Sequence, residues 1–161
     1  MKTNYFQGVQ NDWAGRPFQD LLNLITHLES VPFLDQSKAV IAGGSYGGFL
    51  ISWMFGHEII KKVSCVQHQK IPISFLYLLP SQFCCAVWHD GVFNTSHFVS
   101  SRDFPVNDGS FGTSWMPWID PENIERYNPS TPRRLQHFKH APPTIVIHSE
   151  KDYRCPITEG I

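Results

Sequence analysis

The amino-acid sequence predicts an α/β fold, a mostly parallel sheet flanked by helices. Three observations carry this. Short continuous apolar runs, KAVIA (38–42), FCCAVW (83–88) and TIVIH (144–148), are separated by helical or irregular segments. Unbroken rather than alternating apolarity fits strands covered on both faces, as in parallel sheets. Finally, Pro17 to Leu28 carries Phe18, Leu21, Leu22, Ile25 and Leu28 on one face of a 3.6-residue period.

Each element follows from local chemistry. Pro17 suits the first helical position, where its missing N–H costs nothing. Val31-Pro32 stops that helix, because the residue before a proline is pushed out of the α region. KAVIA ends in Gly43-Gly44, and FLISWMFGHE after Gly48 reads as a central helix, since it is almost wholly apolar. In FCCAVW, adjacent Cys84 and Cys85 are expected on opposite faces of the strand. Gly91 to Pro143 holds seven prolines and no clear periodicity, the signature of a functional loop region with short helices.

Composition removes several classes of function. Lys and Arg number 13 against 14 Asp and Glu, so no basic excess exists to neutralise phosphates and nucleic acid is excluded as a partner. The longest apolar stretch, IPISFLYLLP (71–80), is half the roughly 20 residues of a spanning helix and contains two prolines, which argues against a membrane partner. MKTNYFQGVQND carries no apolar run after Lys2 and is no signal peptide. Cys65, Cys84, Cys85 and Cys155 show no C-x-x-C spacing and read as buried or incidental thiols.

The chemistry is concentrated at Gly43-Gly44-Ser45-Tyr46-Gly47, a G-x-S-x-G between an apolar strand and an apolar helix. Such a turn is sharp, and small residues beside the serine let strand and helix backbones approach too closely for a Cβ. Ser45 Oγ is thereby held out beyond the sheet as a nucleophile, with the Tyr46 N–H facing the place where an oxyanion forms. A serine needs a base and the base an orienting carboxylate, in the order Ser, acid, His. Asp152, just past TIVIH, is the preferred acid, and Glu150 its rival.

The eight histidines, His27, His57, His68, His89, His97, His137, His140 and His148, all precede Asp152, so none occupies the third slot. His148 reads as a packed residue of its strand. His137 and His140 share a helix face but lack a third metal ligand, and no metal site is expected. His89-Asp90 reads as structural, because adjacent side chains seldom aim at one another.

NDWAGRPFQDL (11–21), AGGSYGGFLISW (42–53), HDGVFN (89–94), YNPSTP (127–132) and IVIHSEKDYRCPITEG (145–160) together resemble the catalytic domain of the prolyl oligopeptidase family of serine peptidases, in particular its dipeptidyl-peptidase branch. The resemblance implies an α/β-hydrolase fold, incomplete here, with Ser45 as nucleophile, Asp152 as triad acid and Tyr46 N–H as one oxyanion donor. It implies peptide substrates, no cofactor, and relatives that are typically secreted. It also places a propeller, the first hydrolase strands and a second oxyanion donor before Met1, and the triad histidine past Ile161.

On that alignment residues 1–161 form one partial catalytic domain, nearly inactive alone. Residues 63–82 (VSCVQHQKIPISFLYLLPSQ) have no family counterpart. The block begins Val-Ser, ends in Gln and keeps the frame, which suits a retained intron; a genuine insertion is the alternative. Two other functions remain open: a carboxylesterase or acylaminoacyl peptidase of the same fold, and a non-catalytic fragment acting through contacts.

Overall fold

The computed structural model describes residues 12–35, 38–57, 83–99, 122 and 127–161. Residues 63–82 lie outside this set, as do residues 100–121 and 123–126 of the expected proline-rich loop region. In chain order the elements are α1 (Arg16–Glu29), β1 (Ala39–Gly44), α2 (Tyr46–Phe55), β2 (Phe83–His89), the single-turn α3 (Thr95–Val99) and α4 (Pro132–Leu135), a 3₁₀ turn at Phe138–His140, β3 (Thr144–Ile147) and a 3₁₀ turn at Ile157–Glu159.

The three strands form one parallel sheet in the order β1-β2-β3. Its register aligns Gly44 with His89 and His89 with Ile147. The next residues of the three strands, Ser45, Asp90 and His148, therefore stand in one row past the carboxyl edge, where open parallel sheets place their ligands. Backbone bonds continue the ladder into that row: Asp90 N–H donates to Ile147 O at 2.9 Å, and Ser45 N–H to His89 O at 3.1 Å.

Helix α1 starts at Arg16, so Pro17 sits in the first turn rather than at its first residue. Asp12 Oδ2 accepts the Arg16 N–H at 3.0 Å and satisfies one of the donors a helix start leaves open. Phe18, Leu22 and Ile25 are buried as their spacing requires. Helix α2 starts at Tyr46, earlier than FLISWMFGHE predicts, and ends before His57, because Gly47 and Gly48 are taken into the helix. It packs on β1 and β2, and Phe49 and Met54 have no exposed surface. Trp88 pins it to β2: Nε1 donates to Gly48 O at 2.9 Å and to Ser52 Oγ at 3.0 Å.

Two expectations about the strands are corrected. β1 is not covered on both faces among the described residues: Ile41 is buried in the core, but Val40 is 52% exposed. Nor do Cys84 and Cys85 oppose each other. Ala39 pairs with Phe83 and Val40 with Cys85, so Cys84 is the extra residue of a β-bulge. The bulge breaks the two-residue period and leaves the two thiols near one another.

Candidate active site

Ser45 occupies the turn between β1 and α2 at φ 52° and ψ −117°, a backbone region that a side chain adopts only at a cost of about 1–3 kcal/mol. The surrounding hydrogen bonds hold it there. Its N–H is shared between His89 O and Asp90 O at 3.1 and 3.2 Å, and its carbonyl accepts Phe49 N–H at 3.1 Å and Val92 N–H at 3.4 Å. The residue is exposed. Tyr46 is the first residue of α2, so its N–H is among the four that a helix start leaves without an intrahelical acceptor.

The glycines divide unevenly. A Cβ on Gly43 would lie 2.6 Å from both the carbonyl carbon and oxygen of Gly47, and one on Gly48 2.6 Å from Gly91 Cα. At Gly47 nothing lies within 4 Å. Close backbone approach thus demands glycine at positions 43 and 48, and the expectation that both glycines of the motif are sterically required is corrected at Gly47.

Tyr46 anchors the turn from the side. Its hydroxyl donates to Trp13 O at 2.6 Å, and its ring stands edge-on to Trp13 with centroids 5.0 Å apart. Burial, then the charge of Asp12, pushes the phenol well above the ordinary tyrosine range, so it stays a neutral donor. The segment around Trp13 therefore serves as the floor of the serine turn.

Asp152 lies in the loop after β3. Its Oδ1 accepts the N–H groups of Arg154 and Cys155, both at 2.8 Å, and its own N–H donates to Ser149 O at 3.2 Å. Cys155, 2% exposed, lies near the Ser45 side chain. Burial, then the nearby Asp152 carboxylate, pushes its thiol up to about 11. Ser45 and Asp152 thus both lie past the carboxyl ends of their strands, with Cys155 near both. The rival Glu150 is exposed.

Asp90, read from the sequence as structural, also meets its neighbouring histidine. Its φ of 40° turns the chain so that, contrary to expectation, His89 Nε2 and Asp90 Oδ2 meet at 3.2 Å. Asp90 Oδ1 accepts the Ser149 N–H at 2.6 Å, while its carbonyl accepts from Ser45. One residue therefore ties the serine turn to the acid loop. The sequence held a usable signal, since Asp90 directly follows the middle strand.

His148 is packed, as expected, with its side chain 4% exposed and its ring 5.7 Å from Trp88. Its Nε2 bonds to Cys155 O at 2.7 Å. Asp90, His148 and Asp152 offer donor atoms within 4.8 Å of one another, a spacing that suits a cation. The backbone groups already engage Asp90 Oδ1, Asp152 Oδ1 and His148 Nε2, and a cation would have to displace the last of these. His137 lies beside α4 and His140 in the following 3₁₀ turn, so they do not share a face of one helix. Among the described residues no histidine hydrogen-bonds to Ser45; His68 is not among them.

Glu159 supports the same region from behind. Its side chain is fully buried, and Oε2 accepts the N–H groups of Phe93, at 2.7 Å, and Asn94. Asn94 Oδ1 in turn accepts from Ser96 N–H at 3.0 Å and Asn128 Nδ2 at 3.1 Å. Burial raises the Glu159 carboxyl above its usual range, against the opposing pull of the two backbone donors.

The model of the prolyl oligopeptidase family matches residues 2–61 and 75–161. The chain belongs to the prolyl oligopeptidase family. It is 33% identical to dipeptidyl-peptidase 5 of Aspergillus fumigatus over 154 residues, which cover 95% of this chain and 18% of that protein. It is 34% identical to dipeptidyl-peptidase 5 of Schizosaccharomyces pombe over 159 residues, or 98% of this chain and 20% of the relative.

The chain therefore spans about one fifth of the length of these curated relatives. Among solved structures it resembles the acylaminoacyl peptidase of Pyrococcus horikoshii, with TM-score 0.67 and 21% identity, over 94% of this chain and 21% of that one. It also resembles prolyl oligopeptidase B of Galerina marginata, with TM-score 0.54 and 17% identity, over 98% of this chain and 19% of that one. The fold is α/β-hydrolase, as the family resemblance predicted. Among the described residues no helix is long and apolar enough to cross a membrane.

Proposed function

We propose that this chain carries the nucleophile and the acid of a serine peptidase that acts on peptides by acyl transfer. One observation carries the reading: Ser45 is held at positive φ between β1 and α2, near Cys155, whose N–H is bound by Asp152. In this reading Ser45 Oγ attacks the peptide carbonyl and Tyr46 N–H stabilises the resulting oxyanion, a donor worth about 3–4 kcal/mol in related chemistry. Asp152 Oδ2 is the oxygen left to orient an imidazole, because Oδ1 is engaged by the backbone.

The names of the relatives, dipeptidyl-peptidase 5, support release of N-terminal dipeptides as the whole protein's reaction. Among the described residues no histidine hydrogen-bonds to Ser45, so in this reading residues 1–161 by themselves react slowly.

A fluorophosphonate probe tests both parts. The purified 161-residue chain is exposed for minutes and for many hours, and labelled peptides are mapped by mass spectrometry. Slow labelling centred on Ser45 is expected, absent in Ser45→Ala. Labelling spread evenly over other serines would overturn the nucleophile assignment. Stoichiometric labelling of Ser45 within minutes would overturn the claim that the base is missing.

A further inference from the structure

Among the described residues the free cysteines are Cys84, exposed, Cys85, partly buried, and Cys155, buried. Cys84 and Cys85 lie at the start of β2, with His89 at its other end, about 16 Å away by the rise of a strand. Neighbouring residues of a regular strand point to opposite faces, so their side chains cannot grip one atom together. The bulge removes that obstacle. Ala39 pairs with Phe83 and Val40 with Cys85, which leaves Cys84 as the extra residue and the two thiols near one another.

Three properties narrow the ligand. A disulfide fits poorly: adjacent Cα atoms stand about 3.8 Å apart, whereas a disulfide wants about 4.4–6.8 Å. A third atom between the sulfurs relieves that demand. Among the described residues no other Cys, His, Asp or Glu completes a cluster with the pair, so a four-coordinate zinc site is not formed. Partial burial, then the neighbouring Cys84, raises the Cys85 thiol above its usual range, which favours a ligand that leaves a neutral product.

We propose that Cys84 and Cys85 form a dithiol site for trivalent arsenic presented as an organic arsenoxide. Both S–H bonds and the arsenic–oxygen bond break, two S–As bonds form, and the oxygen leaves with the two protons as water. Arsenic stays trivalent, so no oxidant or reductant is required. A soft centre with two exchangeable positions matches two sulfur ligands, whereas hard cations take oxygen. The site is independent of the Ser45 reading, so either can fail without the other.

The test is a titration of the whole, fully reduced chain with phenylarsine oxide, followed by maleimide labelling of the remaining thiols and mapping by mass spectrometry. One equivalent should protect Cys84 and Cys85 together. Exposed Cys84 can be changed without disturbing the core, and Cys84→Ser should weaken binding at least about a hundredfold, the gain that a second ligand on one scaffold brings. Cys85→Ser should do the same, while Cys65→Ser, outside the described residues, should bind like the wild type. The chain unfolded in urea should bind several-fold more weakly, because the bulge no longer holds the thiols on one side. Protection of Cys65 or Cys155 in place of the pair, undiminished affinity in Cys84→Ser, or equal affinity in urea would each overturn the assignment.

Discussion

Asp152 and Cys155 are tied together beside the serine turn: Asp152 Oδ1 holds the Cys155 N–H at 2.8 Å, and the Cys155 thiol lies near Ser45. A thiol raised from its ordinary 9.0 to about 11 is neutral at working pH and serves here as a packing group. Because the folded state holds this proton more tightly than the unfolded chain, its stabilisation is intact below pH 9 and is lost as pH rises towards 11. The loss amounts to at most about 3 kcal/mol. Urea denaturation across that window should show the decline in the wild type and a flatter profile in Cys155→Ala.

The glycines of the serine turn make a paired prediction. Gly43→Ala drives a methyl into the Gly47 carbonyl and should cost about 1–3 kcal/mol, as overpacking does. Gly47→Ala meets open space and replaces a helical glycine, so it should be neutral or stabilising by up to about 1 kcal/mol. The shift of the denaturation midpoint in each variant decides it.

Strain at Ser45 is separable from its chemistry. Ser45→Gly removes the cost of a side chain at φ 52° and should raise stability by about 1 kcal/mol while abolishing fluorophosphonate labelling. A variant less stable than wild type would show that the turn is unstrained.

Asp90 offers a test of the link between the two loops. Asp90→Ala loses the acceptor for Ser149 N–H and leaves a residue poorly suited to φ 40°, and should cost about 2–4 kcal/mol. Asp90→Asn keeps an acceptor and tolerates the left-handed region, so less than half that cost is expected. Equal costs in urea denaturation would refute the distinction.

Glu159 should respond to pH in a definite sense. Its folded carboxyl titrates above the ordinary 4.5, so its favourable contribution is complete below that pH and is lost as pH rises through the elevated value. Glu159→Gln retains an oxygen for Phe93 and Asn94 without the buried charge. It should match or exceed wild-type stability at pH 7 and lose that advantage near pH 4. Glu159→Ala strands two backbone donors and should cost about 1–3 kcal/mol for each. Thermal melts at the two pH values read out both variants.

The sequence made the order of elements legible to within a few residues, because apolar periodicity and glycine pairs are local signals. It failed where a local rule was overridden by neighbours. Cys84 and Cys85 broke alternation because β2 bulges against β1, and His89 met Asp90 because the chain turns through positive φ. Gly47 resembled Gly43 in the motif, yet only Gly43 directs its missing Cβ at another backbone.

Taken alone, the amino-acid sequence determined that a serine stands between an apolar strand and an apolar helix, and that an acid follows the last strand. Glycine freedom and hydrophobic spacing act over a few residues and are written into the chain directly. Only the tertiary structure decided which groups come near Ser45: Asp90 and Cys155 arrive from positions 45 and 110 residues away because parallel register aligns Gly44, His89 and Ile147. No local signal encodes that alignment, since it results from how three strands pair and how α2 packs across them.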